Sequence, residues 1–167
     1  PGERFYGLGQ HQHGRFDQRG CVVDLRQANT EVSIPFLVSS RGYGFLWNVP
    51  ALGHIELGET MTRWHSKAAH CIDYWITRAS TPKDILGHYA DATGHAPAFP
   101  QWASGFWQSK LRYKTQSEVL DVAREYRSRE LPASAIVIDF FHWNRLGDFS
   151  FDEAEWPDPA GMVGELE

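Results

Sequence analysis

The sequence predicts a chain in two parts, an antiparallel β-sandwich running into the first units of a parallel α/β fold. Three observations carry this. Residues 1–80 are short β-branched and aromatic runs broken by Gly, Asn and Ser clusters. Near Ser80 the pattern changes to a capped helix followed by a two-proline connector. After Pro100 it becomes strand, amphipathic helix, strand.

In the first part, Arg4 to Leu8, Cys21 to Leu25, Val32 to Val38 and Tyr43 to Trp47 read as strands. Ser39-Ser40-Arg41-Gly42 joins the last two as a hairpin, with Gly42 free to take positive φ. His70 to Thr77 alternates, placing Ile72, Tyr74 and Ile76 on one face of a half-buried strand. Gly7-Leu8-Gly9 and Gly42-Tyr43-Gly44 lack the third glycine and the following helix of a phosphate cradle, and read as turns.

Thr81-Pro82-Lys83-Asp84 supplies an N-cap, a proline at the first helical position and an early acid. Ile85, Leu86 and Tyr89 form the apolar stripe and Gly94 the stop. The expected division is therefore 1–80 sandwich, 81–100 helix and Pro-rich connector, and 101–167 α/β. Within the last part, Ser104 to Gln108 predicts a short strand and Thr115-Gln116-Ser117-Glu118 a capping box. The helix it opens carries Val119, Leu120, Val122, Ala123 and Tyr126 on one side, and Leu131-Pro132 closes it. Ala135 to Ile138 is a continuous apolar run, as in a parallel strand covered on both faces. Asp158 to Leu166 opens a second helix. One such unit cannot bury its own faces, and the 67 residues after Pro100 compare with roughly 250 for a closed (β/α)8 barrel. A truncated barrel is the expectation.

Composition excludes several functions. A formal charge of −5 without a basic cluster argues against nucleic acid. No apolar run reaches the roughly 20 residues that span a bilayer. Two cysteines, Cys21 and Cys71, lack disulfide-scaffold or metal spacing and read as packed thiols. His11, His13 and Asp17 are a weak metal pattern, and no cofactor motif appears. Ser-His-Asp order and the Gly-x-Ser-x-Gly elbow are absent from the sequence.

Chemistry gathers at the end of the apolar strand. Asp139 terminates it, with Phe140-Phe141-His142-Trp143 next. In parallel α/β folds the C-terminal strand ends build the active face. A carboxylate there accepts hydrogen bonds from sugar hydroxyls while aromatic rings cover the sugar's apolar face. Capping a loop or pairing with an arginine is the alternative use of Asp139. The neighbouring strand brings Trp107, Arg112 and Tyr113, whose alternative reading is a solvated basic turn of Lys110, Arg112 and Lys114. Asp148 is the one other loop-side carboxylate, and it reads as a turn cap in Gly147-Asp148-Phe149.

Glu3 to Gly9, Ile34-Pro35-Phe36 with Arg41-Gly42-Tyr43-Gly44, and Thr81-Pro82 through Tyr89 to Thr93-Gly94 resemble the N-terminal domain of glycoside hydrolase family 31. Trp102 to Tyr113 and Ile136 to Trp143 resemble the first two strands of its catalytic barrel. Phe151-Asp152, Trp156-Pro157-Asp158-Pro159 and Met162 continue the match in order. The resemblance implies a galactose mutarotase-like β-sandwich followed by an incomplete (β/α)8 barrel. It implies a retaining, exo-acting α-glycosidase parent without cofactor, acting on an oligosaccharide or glycoside. Asp139 would bind hydroxyls in subsite −1, with Tyr113 and Phe141 nearby. The family's two catalytic aspartates belong to later strands and match no residue here. Asp-Phe-Phe-His-Trp is similar to the α-xylosidase-type branches. A stand-alone carbohydrate-binding β-sandwich is the competing reading.

Overall fold

The computed structural model describes residues 2–140 and 142–167. It divides into a unit ending at Ala96 and a second from Pro97 to Glu167.

Among the described residues the first unit holds seven strands: β1 (Phe5–Gln10), β2 (Val22–Leu25), β3 (Val32–Ser39), β4 (Tyr43–Trp47), β5 (Gly53–Leu57), β6 (Thr62–Ser66) and β7 (Tyr74–Arg78). They form two antiparallel sheets, ordered β1-β3-β4-β7 and β2-β5-β6. Phe5, Leu8, Val23, Leu25, Leu37, Ile55 and Leu57 come from both sheets and make one buried cluster, so the sheets pack face to face. The opposite face of the larger sheet is sealed by α1 (Pro82–Thr93), through Phe36, Val38 and a fully buried Ile85. Strand β3 is buried on both sides as a result: Phe36 and Val38 face α1, Leu37 the second sheet.

Helix α1 begins as the sequence requires, with Asp84 N donating to Thr81 Oγ1 at 3.1 Å and Pro82 in the first turn. Gly44 makes its seat. A Cβ there would lie 2.7 Å from Ile85 Cγ2 and 2.7 Å from Phe36 Cζ. The Ser39–Gly42 hairpin forms as expected, with Gly42 N donating to Ser39 O at 3.0 Å. Glu3 ties β1 to that hairpin, accepting from Ser39 Oγ at 2.5 Å and Tyr43 OH at 2.9 Å. Burial works to raise its pKa, but these bonds and Arg41 outweigh burial and hold it below the ordinary value.

Three expectations change in the first unit. Gly7-Leu8-Gly9 is not a turn. It lies inside β1 as an irregularity where three successive residues take positive φ, and Leu8 is driven into the core. A Cβ at Gly9 would meet Val32 O at 2.0 Å, so close approach of β3 demands glycine. Ile72, Tyr74 and Ile76 are not half-buried but 75%, 55% and 55% exposed. Their alternation is intact, since Trp75 and Thr77 turn toward α1, yet the three-stranded sheet does not reach across to cover them. Strands β5 and β6 add to the expected set, and Ile55 and Leu57 alternate inward on the first of them.

The second unit holds a 3-10 turn (Gln101–Ser104), β8 (Trp107–Ser109), α2 (Gln116–Ser128), β9 (Ala135–Val137) and α3 (Pro159–Leu166). Strand β8 starts three residues later than expected because residues 101–104 coil into that turn. It pairs in parallel with β9, Trp107 opposite Ala135 and Ser109 opposite Val137. Tyr113, Val119, Leu120, Trp156 and Met162 form the core, with Ile136 and Ile138 packed on it. Residues 135–138 are half-buried rather than covered on both faces, because helices pack on one side only of this two-stranded sheet. Asp158 caps α3 through Gly161 N at 2.9 Å, and Arg124 holds Glu165 at 2.7 Å across α2 and α3.

Replacing Ile85 by Ala should cost about 2–4 kcal/mol, the usual range for emptying a buried aliphatic site. Urea unfolding followed by circular dichroism measures it, and a loss below about 0.5 kcal/mol, the size of a surface substitution, removes Ile85 from the core of the fold.

Candidate functional site

The site is built by alternation. Gln108 on β8 and Ile136 and Ile138 around β9 point toward α2: the two isoleucines pack on the core and Gln108 bonds Tyr126. Trp107, Ser109, Ala135 and Val137 therefore occupy the other face, and continuing the alternation puts Asp139 there too. That face is open. Trp107 is exposed and stacks on Trp102 at 5.5 Å, and Asp139 is half-buried.

Asp139 sits just past the C-terminal end of β9, where the chain turns. Its Oδ1 accepts from Phe140 N at 2.8 Å. The turn is pinned from behind by His142, whose Nδ1 lies 3.0 Å from the Asp139 carbonyl and donates to it in the Nδ1–H tautomer. The His142 ring is itself wedged against Trp143 at 4.8 Å, Phe151 at 5.1 Å and Trp156 at 6.5 Å. Asp152 N closes the loop on His142 O at 2.9 Å. His142 thus positions Asp139. Nothing in the sequence marks this role, because a backbone acceptor has no residue-type signature.

The loop after β8 forms the other wall. Lys110, Leu111, Arg112 and Lys114, with Glu118 and Phe140, line a hollow of about 550 Å³ beside the Asp139 turn. Glu118 organises this wall: it pairs with Lys110 and accepts from Lys114 N at 2.8 Å, while its own amide donates to Thr115 Oγ1 at 3.2 Å. The capping box is present, but its return bond reaches one residue further back than the pattern implies. The hydrogen bond from Lys110 is the main reason that the Glu118 pKa falls below its ordinary value, with Lys114 adding to it.

The predicted site residues are not all brought together. Asp139 and Trp107 share the open face, and Arg112 lines the hollow with Phe140. Tyr113 lies on the α2 side instead: its ring is 1% exposed and its hydroxyl accepts from Gln108 Nε2 at 2.9 Å. Trp143 is half-buried, edge-on to Phe149 at 5.5 Å, with Nε1 buried and unpartnered among the described residues. Phe141 lies outside the described residues. Asp148 accepts from Ser150 N and Oγ at 3.1 and 2.9 Å, a turn cap. A hollow of about 580 Å³ between α2, α3 and the start of β9 stands away from this end of the strands.

In the first unit, His11 and His13 stack at 5.9 Å, while Asp17 accepts from Phe5 N and Arg19 N at 3.2 and 3.1 Å. No group of three His, Cys, Asp or Glu side chains is placed to hold a metal among the described residues. Cys21 and Cys71 are free thiols, and no described helix is long and apolar enough to cross a membrane.

Comparison with known proteins adds the family. Residues 96–167 match the model of the glycosyl hydrolases family 31 TIM-barrel domain. The chain is 51% identical over 166 residues to an uncharacterized family 31 glucosidase of Pseudescherichia vulneris, covering 99% of this chain and 31% of that protein. It is 42% identical to an α-xylosidase of Saccharolobus solfataricus, covering 99% of this chain and 24% of the relative. Among solved structures, a GH31 α-xylosidase from a soil metagenome, complexed with xylose, superposes with a TM-score of 0.91 at 51% identity, over 99% of this chain and 25% of that one. The chain thus spans a third or less of the length of these relatives.

Glu118 gives a pH test. Its carboxylate titrates below the ordinary 4.5, so its hold on the Lys110–Lys114 loop is complete above that pH and is lost as pH falls through the lowered value. Carbon-13 NMR of the Glu118 side chain should show the low titration in the native protein and a return toward 4.5 in Lys110→Ala. A titration that Lys110→Ala leaves in place rules out the lysine as its cause.

Proposed function

The chain belongs to glycosyl hydrolase family 31, and from that premise we propose that it is part of a longer, retaining, exo-acting α-glycosidase for terminal α-linked sugars. Its two units correspond, in this reading, to the closing part of an N-terminal β-sandwich and the opening of a (β/α)8 barrel. In this reading the expected bounds 1–80, 81–100 and 101–167 shift, because α1 packs on the sandwich and joins it. An α-xyloside is favoured over an α-glucoside, supported by the names of the α-xylosidases that this chain resembles.

The observation that carries the proposal is Asp139 at the end of β9, on the face turned away from the helices. In a closed barrel that face is the interior and that end is the active one. Asp139 keeps one oxygen on Phe140 N and presents the other to two sugar hydroxyls of subsite −1. Arg112 and Trp143 border the same end, and Trp107 lies deeper along β8; Phe141 is carried in this reading by the family resemblance alone. Tyr113 acts from behind, fixing the β8 loop through Gln108.

Hydrolysis with retention uses two carboxylates about 5–5.5 Å apart. Asp148 is committed to its turn: desolvation opposes, but the Ser150 and Arg145 bonds prevail and hold its pKa below the ordinary value. The family resemblance, rather than anything in these residues, assigns the nucleophile and the general acid/base to later strands of the longer protein. These 167 residues alone should not cleave aryl α-xylosides.

Two measurements test this. In the longer protein, Asp139→Ala should lower kcat/KM by about 10²–10³-fold, since it strips a charged acceptor from sugar hydroxyls in the transition state. Unchanged kcat/KM takes Asp139 out of the site. Turnover by the 167-residue chain that survives repeated purification would refute the assignment of the catalytic pair elsewhere.

A further inference from the structure

The outer face of the three-stranded sheet gathers histidines that are far apart in sequence. Val23 and Leu25 of β2 and Ile55 and Leu57 of β5 are buried, so Asp24, His54 and Glu56 take the other face. On β6, Trp64 turns inward onto Phe45 at 5.0 Å, and Arg63 and His65 therefore turn outward. Register then sets His54 directly opposite His65, and Glu56 directly opposite Arg63.

The two imidazoles meet there, with ring centroids 4.7 Å apart and planes inclined by 26°. Residues directly opposite in an antiparallel pair have Cβ atoms about 4.5–5.5 Å apart. With metal–nitrogen bonds of about 2.0–2.1 Å, two nitrogens share one ion when they lie roughly 3–4 Å apart. That is within reach of a cross-strand histidine pair. His65 is exposed, and among the described residues its ring contacts His54 without a side-chain hydrogen bond or ion pair. It turns edge-on without breaking a bond.

Glu56 prepares the other ring. His54 Nε2 lies 3.2 Å from Glu56 Oε1 and donates to it in the Nε2–H tautomer, which leaves the lone pair on Nδ1. A carboxylate on one imidazole nitrogen is what fixes the tautomer and aim of a metal-binding histidine. Glu56 is in turn held by Arg63 at 3.4 Å, and Asp24, which faces His54 from β2, pairs with Arg26 at 3.5 Å. Both acids are engaged, so the ligands here are two imidazoles, with water completing the coordination.

We propose that His54 and His65 form a two-imidazole site for a divalent transition cation. Copper(II) binds most tightly, nickel(II) and zinc(II) less so, following the usual order for nitrogen ligands. Magnesium and calcium, which require oxygen ligands, do not bind. The ion clips β5 to β6 on the outside of the sandwich. Neither histidine belongs to the Asp139 site, and the proposal does not need the glycosidase reading.

The test uses the longer protein, freed of metal by a chelator and titrated with copper(II) chloride. Electron paramagnetic resonance should show a copper signal coupled to two imidazole nitrogens that is lost in His54→Ala and equally in His65→Ala. Glu56→Ala keeps both ligands and should weaken binding by about 10–100-fold, the usual effect of an orienting partner. Comparison of variants separates this site from other histidines of the longer protein. In the unsubstituted protein, copper should slow diethyl pyrocarbonate modification of both His54 and His65, read by mass spectrometry. Copper should also raise the Tm, and less so in either histidine variant, since an ion held only by the folded state stabilises it. A copper signal that both histidine variants retain overturns the proposal. So does loss in one variant alone, which makes the site a single imidazole, and so does modification that copper leaves unchanged at either ring. A longer protein that binds copper through both histidines but hydrolyses no glycoside keeps this proposal and loses the glycosidase reading.

Discussion

The parallel pairing of β8 with β9 is the interaction on which the candidate site depends. Register and pleat together sort the side chains into two sets. Gln108, Ile136 and Ile138 are committed to α2 and the core. Trp107, Ser109, Val137 and Asp139 are what remains to meet a ligand. Everything else in the second unit serves to hold that sorting in place. Trp156 and Met162 fill the helix side, Arg124 and Glu165 hold α2 to α3, and His142 fixes the turn that carries Asp139. A shift of one residue in β9 would turn the carboxylate into the core, where an ionised group without partners is costly.

The first unit obeys the same rule with a different result. Its larger sheet is covered on one face by α1 and on the other by the second sheet, so β3 loses its polar alternation and buries four residues in a row. Glycine is what allows this closeness. Gly9 admits the β3 backbone and Gly44 admits Ile85, and neither position tolerates a side chain without displacement of its neighbours. Where the second sheet stops, at β6, the apolar side chains of β7 stay in the open.

Much of this is legible in the sequence, because local rules wrote it. The Thr81 and Thr115 caps, the Gly42 hairpin, the stripe of α2 and the apolar strand before Asp139 each follow from residue type at fixed spacing. What is not legible depends on partners far along the chain. Alternation groups Ile72, Tyr74 and Ile76 correctly, but does not say whether a second sheet reaches them. Gly7-Leu8-Gly9 reads as a turn from its glycines, whereas the close approach of β3 holds it inside a strand. Its place after the first strand and the family resemblance suggest a ligand-side Tyr113, whereas the structure turns it toward Gln108 and the core. His142 acts through a backbone carbonyl, and no pattern of side chains announces that.

The central claim is that Asp139, held at the end of β9, binds the hydroxyls of a terminal sugar. A crystal structure of the longer protein with a monosaccharide such as xylose tests it most directly. The account predicts two hydroxyls of one ring within about 2.6–3.2 Å of the Asp139 carboxylate, the range of hydrogen bonds, with the sugar at the C-terminal ends of β8 and β9. A sugar bound elsewhere, with Asp139 facing only its own turn, contradicts it.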